Sequence, residues 1–429
     1  MSEVVSPSQG LTLEIAKDTA FGTPDSYAYI RCNRANSTFP TQTRKAVPQA
    51  NSHAHPGDFR DTPVDYKAAT ESAMTLALNV RKHTSTGSPP ICTLLQAAGY
   101  TTTAITGDGA VDTGATTTAF SFKVTKGQDD GMAVLIQTAA SVWEPTLLAD
   151  VTGVACVPLF ALSAAPAEDY TIKPMLTCTP RTEKLSASDT ISFKYTIRAT
   201  DGSNVQTFTY KGCADQLDSL EISPNTPLEF LFAVHVGDVA MADGTYTAPT
   251  YIDGTREIVV TGDNFRCHLA QGNATTGGLT PALSGIKSAT ISFGMATKPI
   301  YTIGGTGNVN DIQGYVSYVA SQPRITINAL FDTTKWSDFE STLSGGTGTN
   351  PDTAIEFVTR VHATTDPAIL IAFPRCNLIE PPSAIEKDES GYVSCTLVYG
   401  ADCSGFSSAT ELTVAGSQPM FIAINSEAA

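Results

Sequence analysis

Two-residue alternation of apolar and polar side chains is the feature that most limits what this chain can fold into. It runs through Ala73–Asn79 (AMTLALN), Phe120–Val124, Thr190–Ile197 (TISFKYTI), Gln206–Tyr210, Ser219–Ile222, Ser288–Phe293, Arg324–Asn328 and Tyr392–Tyr399. Successive residues of a strand face opposite sides of its sheet, so each segment reads as a strand buried on one face. Only two stretches read as helix. Pro89–Ala98 (PPICTLLQAA) is entered by proline and left at Gly99. Thr334–Leu343 (TKWSDFESTL) has Asp332, Thr333 or Thr334 as its cap and Gly345 beyond it. The expected class is mainly β (α+β).

Composition supports this reading. A chain of 429 residues suffices for about three domains of ~150 residues, or two large ones. Gly (33) and Pro (25) are plentiful, and charged residues are 16%, against the ~25% usual in soluble chains. Such a turn-rich, weakly charged, Thr-rich chain suits sheets joined by loops, and it lacks the sustained heptads of a coiled coil. The 26 basic residues against 42 acidic ones leave a net charge of −16, which disfavours a chain built to grip a phosphate backbone. Residues 1–22 show neither a basic n-region nor an apolar h-region, so no secretory signal is expected. The most apolar stretch, Val154–Ala167, is 14 residues broken by Pro158, too short for a membrane span. Nine cysteines without a CxxC pair argue against zinc ribbons and thioredoxin chemistry. Reduced thiols packed as small apolar side chains are expected, in a protein made in a reducing cytoplasm.

An internal repeat sets the expected domain plan. Residues 119–136 (AFSFKVTKGQDDGMAVLI) and 354–371 (AIEFVTRVHATTDPAILI) align without a gap at an offset of 235. Ala119/Ala354, Phe122/Phe357, Ala133/Ala368, Leu135/Leu370 and Ile136/Ile371 are identical. Each copy follows a strand and a short helix and reads as a hairpin, over 119–137 and 354–373, with Asp129, Asp130 and Gly131 as the first turn. A duplicated domain is expected, each copy a β-sandwich or barrel with one short helix. The first, 1–257, carries a long loop over 33–66 and an insertion over 138–185; the second is 258–429. Residues 299–322 form a second long, Gly-rich loop region. The 33–66 loop holds Arg34, Arg44, Lys45 and Arg60, a basic concentration in an acidic chain, together with Phe39, Phe59 and Tyr66. A loop of this length is expected to be disordered or to contact a partner.

Motifs of catalysis are missing from the sequence. There is no G-x-S-x-G, no G-x-x-x-x-G-K-[ST] and no H-E-x-x-H. Gly304–Gly307 and Gly345–Gly348 (both GGTG) lack the rest of a phosphate loop and read as turns. His53, His55 and Asp58 have strand-like metal spacing but lie in a Pro/Gly-rich loop and read as solvated. His83, His235, His268 and His362 are scattered. No catalytic, metal-ligating or cofactor-binding residue is expected; the chain reads as a structural or binding protein.

Three segments carry a family resemblance. Gly10–Pro24 (GLTLEIAKDTAFGTP) resembles the start of tail tube subunits of long-tailed bacteriophages, where a polar first strand runs into an FGTP turn. Tyr210–Ile222 (YKGCADQLDSLEI) is similar to the family's Gly-Cys/Ala turn leading into an inner-sheet strand, and Asp388–Tyr399 (DESGYVSCTLVY) to its closing strand. The resemblance implies two fused tail-tube-type domains and a virion protein assembled in the host cytoplasm. It implies homotrimeric rings stacked into a tube that conducts DNA without binding it specifically. Tape measure, terminator and tip proteins would be its other partners, and no cofactor is implied.

On that reading Arg34, Phe39, Arg44, Lys45, Phe59, Arg60 and Tyr66 are the ring-stacking candidates. Asp218, Glu221 and Glu229, with Lys287 to Phe293 from the second half, are the bore candidates. Free sheet edges fit a ring, since neighbouring subunits close a barrel and leave no edge unpaired. The alternative reading is a β-sandwich surface-binding or capsid decoration protein. That class calls for exposed aromatic clusters, whereas Trp is limited to 143 and 336.

Overall fold

The computed structural model describes residues 11–40, 44–48, 65–69, 72–83, 89–181, 184–198, 204–271, 277–280, 286–301, 312–330, 353–361, 366–380, 386–387, 393–402 and 418–425. The first longer strands in chain order are β1 (Leu11–Ala20) and β2 (Ser72–Asn79), followed by helix α1 (Pro90–Ala97). Next come β3 (Ala133–Ala139), β4 (Val142–Thr152), β5 (Thr171–Pro180), β6 (Ile191–Arg198), β7 (Asn204–Ile222), β8 (Glu229–Val236) and β9 (Asp238–Thr245). The remainder are β10 (Phe265–Gln271), β11 (Ile286–Ser292), β12 (Arg324–Leu330), β13 (Thr353–Thr359), β14 (Ile369–Glu380), β15 (Val393–Ala401) and β16 (Phe421–Asn425). The fold is mainly β, as the alternation predicts. Among the described residues no helix is long and apolar enough to cross a membrane.

The two alternating stretches at 206–210 and 219–222 are one strand, the 19-residue β7. Alternation lapses between them because Gly212, Cys213, Ala214 and Asp215 are all buried, where the strand passes from one sheet environment to another. Gly212 adopts φ +57°, and a Cβ there would lie 3.1 Å from the Phe21 ring. Before that point β7 lies between β6 and β9; after it, between β8 and β11. The first part belongs to a curved sheet with β1 and Ala28–Ile30. The second part is central to a six-stranded antiparallel run, β2-β8-β7-β11-β12-β15. The sheet therefore crosses residue 257.

Inward residues of both sheets, such as Phe193, Tyr210, Phe230, Phe232, Ile291 and Leu397, form the main core with α1. Proline at the first turn of α1 leaves no N–H to satisfy there. Gly99 ends the helix at φ +90°, where a Cβ would come within 2.1 Å of Ser317 Oγ. The FGTP turn is closed by Asp18, 2% exposed. Its carboxylate accepts hydrogen bonds from Gly22 N (3.0 Å), Thr190 Oγ1 (2.9 Å) and Ser192 Oγ (2.7 Å).

Four expectations are corrected. No hairpin forms over 119–137: Phe120–Ser121 pairs with Ala155–Pro158, while β3 pairs with β4 and β5. The 354–373 hairpin does form, as β13 and β14. The likeness of Ala133–Ile136 to Ala368–Ile371 has a physical source in burial on both faces. Val134 and Ile136 enter one cluster and Ala133 and Leu135 another; Ile369 and Ile371 likewise part from Ala368 and Leu370.

Residues 138–185 are integral, since β5 pairs with β3, β16 and Tyr100–Thr103. Residues 33–66 are not one long loop. Asn33 and Thr38 bond to the backbone of β2, and Arg44–Pro48 pairs with Asp65–Ala69. In 299–322, the described parts include strand: Met295–Tyr301 pairs antiparallel with Ile312–Val319. The helix expected over 334–343, the GGTG turns, His53, His55 and Asp58 lie outside the described residues.

Asp215, on β7, is wholly buried with neither carboxylate oxygen hydrogen-bonded among the described residues. Desolvation pushes its pKa well above the ordinary 3.8. A raised folded pKa means that stability falls as pH rises from the unfolded value toward the folded one. Asp215→Asn is expected to raise stability at pH 7 by about 1–3 kcal/mol, with the gain shrinking toward pH 4. Urea unfolding of both proteins at the two pH values checks this.

Candidate functional site

The six-stranded run packs one face on the core and turns the other outward by its alternation; that face is most exposed along β7, β11 and β12, while toward β2 Ala77 is buried and Leu231 half-buried. Phe230, Phe232, Leu220, Ile291, Ile325 and Ile327 point into the core, and the intervening side chains turn outward. Cross-strand neighbours on the outward face include Glu221 with Thr290, Ser219 with Ser292, Ser292 with Arg324, Thr290 with Thr326 and Asn328 with Thr396. Many of these are hydroxyl or amide side chains. Asn328 Nδ2 donates to Ser288 Oγ at 2.8 Å, and Thr396 Oγ1 to Asn328 Oδ1 at 2.8 Å. Arg324 is paired with Glu380 at 3.3 Å.

The bore candidates meet this face as follows. Glu221, exposed, and Glu229, half-buried, lie on it. Glu221 accepts from Ser223 Oγ at 3.0 Å. Glu229 is held by the side-chain amides of Asn33 and Asn36, the latter at 2.6 Å. Asp218 and Lys287 are exposed residues at bulges, between Leu217 and Ser219 and between Ile286 and Ser288. They fall outside the regular ladder. The face thus has Glu221, Glu229 and Glu380 against Arg324.

Of the stacking candidates, the structure describes the side chains of Arg34 and Phe39. Phe39 stacks on Tyr195 of its own chain, with ring centroids 4.1 Å apart and planes 6° apart. Arg34 donates to Tyr195 Oη at 3.2 Å. Both pack on Tyr195 within the chain. Arg44 and Lys45 lie on the Arg44–Pro48 strand and Tyr66 on its partner; Phe59 and Arg60 lie outside the described residues.

A second feature was not legible from the chain. A cavity of about 260 Å³ lies between β10/β13 and the segment from Glu144 to Ser163. His268 and Glu356 are ladder partners facing it, with His268 Nδ1 3.5 Å from Glu356 Oε1. Glu356 is 2% exposed, and burial raises its pKa against the opposing pull of His268. His268 is thus brought beside a carboxylate. The only signal was the alternation Arg266, His268 and Glu356, Val358, Arg360, which points polar groups inward from buried strands. The eight described cysteines are free thiols; Cys92, Cys178, Cys213 and Cys376 are wholly buried.

No protein-family model and no curated protein matches the chain.

Truncating Phe39 removes the ring stacked on Tyr195. Phe39→Ala is expected to lower the stability of the isolated chain by about 2 kcal/mol, read by thermal unfolding.

Proposed function

We propose that this chain is a tail tube subunit of a long-tailed bacteriophage, forming stacked rings whose bore conducts DNA. The observation that carries the reading is the polar open face of β2-β8-β7-β11-β12-β15, continuous across both halves of the chain. A sheet with one packed face and one wide, hydroxyl- and amide-rich face suits the lining of an aqueous conduit. Glu221 and Glu229 give that lining a repulsive sign toward phosphate, and no row of Lys or Arg on it would release counterions and hold the duplex. The repulsion reaches about 8 Å at physiological salt, enough to act next to a wall.

Strand geometry favours three chains per ring. Three sets of six strands, ~4.8 Å apart and tilted ~40°, close a cylinder about 36 Å across; six sets close one about twice as wide. The narrower tube confines a duplex, whereas the wider one leaves it loose. Heterologous contacts that close by rotation give the ring, and stacked rings give the tube.

Cryo-electron microscopy of the purified full chain tests this. Rings or tubes with three copies per ring are expected; particles that stay monomeric at high concentration would refute the tube, and six copies per ring would refute the trimer. Lining charge has a separate readout. Tubes of Glu221→Lys/Thr290→Lys are expected to bind linear duplex roughly tenfold more tightly than wild type at about 50 mM salt, with a steeper salt dependence. Unchanged binding would place these residues away from the bore.

A further inference from the structure

The cavity beside β10 and β13 has a composition that selects a ligand. Register places Arg266 opposite Val358 and His268 opposite Glu356, so Arg266, His268, Glu356, Val358 and Arg360 share one face of the two-stranded ladder. The facing wall comes from Glu144 to Thr146 and Phe160 to Ser163. Glu144 is already engaged, accepting from Ser163 N at 2.9 Å and from Ser163 Oγ. Opposite it, His268 Nδ1 lies 3.5 Å from Glu356 Oε1. Glu356 Oε2, His268 Nδ1 and Arg360 Nε are buried without a hydrogen-bond partner among the described residues. Neither guanidinium, of Arg266 or of Arg360, has an ion pair among the described residues.

Charge narrows the choice. Two guanidiniums, of Arg266 and Arg360, line the cavity, while Glu144 is taken up by Ser163 and Glu356 faces His268. A cation is disfavoured by the two guanidiniums, and among the described residues no group of three metal-ligating side chains exists. A dianion would oppose Glu144 and Glu356. A single carboxylate matches the planar fork of a guanidinium. Phe160, Leu162, Pro145 and Val358 give the lining an apolar part beside the hydroxyls of Thr146, Thr280 and Thr359, which suits a hydrocarbon stem on the acid. About 260 Å³ accommodates a compact ring or a short chain.

The geometry points to a binding site for a small organic monocarboxylate, its carboxylate held by Arg266 and Arg360 and its stem lying on Phe160 and Leu162. Glu356 and His268 line the floor and supply the remaining hydrogen bonds. This inference is independent of the tube reading, because the cavity lies within one chain.

Benzoate is the probe, titrated into the full chain by calorimetry, with benzamide and inorganic phosphate as controls. Saturable 1:1 binding of benzoate is expected, with benzamide and phosphate each at least about tenfold weaker. Arg266→Gln/Arg360→Gln should weaken benzoate at least about tenfold while circular dichroism stays unchanged. Should the double variant misfold, the single Arg360→Gln carries the same expectation. Benzamide or phosphate binding as tightly as benzoate, a folded variant with unchanged affinity, or no saturable binding of benzoate would each overturn the assignment.

Discussion

Backbone hydrogen bonding along Asn204–Ile222 is the constraint on which the rest of the structure depends. A buried strand of 19 residues exposes N–H and C=O groups on both edges, and nearly all of them must find partners. Four strands meet that demand, two on each part of β7, with the change of partners at the positive-φ Gly212. One of them, β11, comes from beyond residue 257. The second half of the chain thus completes a sheet that the first half begins.

Buried polar groups follow three different solutions. Asp18 is fully bonded, and its three donors tie the end of β1 to the start of β6. Asp215 has no partner for its carboxylate among the described residues and opposes folding in its charged form. Glu356 stands between these, within reach of His268 but with its other oxygen buried and unpartnered among the described residues. The first solution makes a local turn rigid. The second is a stored cost, and the third leaves room for a ligand.

The open sheet face and the cavity place different demands on the same alternation. On β7 and β11 the outward positions carry Glu221, Thr290 and Ser292, which are exposed, and Ser219, which is half-buried. On β10 and β13 the polar positions face another layer, so Arg266, His268, Glu356 and Arg360 are enclosed. The first arrangement suits the proposed conduit wall and the second the proposed pocket. The physical difference lies in what covers the face, not in the strands themselves.

Alternation by itself determined the class of fold, the places of β2, β6, β11, β12 and β15, and the outward direction of Glu221 and Glu229. The proline and glycine bounding α1 determined that helix, because capping acts over a few adjacent residues. Local signals of this kind survive in one dimension. Partner choice does not. Phe120–Ser121 reads as half of a hairpin, yet pairs with Ala155–Pro158, since any edge of suitable register satisfies a strand equally well. The apolar run Ala133–Ile136 resembles Ala368–Ile371 because both are covered on two sides, by different neighbours. Phe39 reads as a free contact group until Tyr195 is seen beneath it. Glu144, His268 and Glu356 converge only after β4 is laid against β10 and β13, and no spacing along the chain encodes that approach. Tertiary structure decided these points because side-chain contacts depend on which sheets stack, and stacking is set by the sum of buried area over the whole chain.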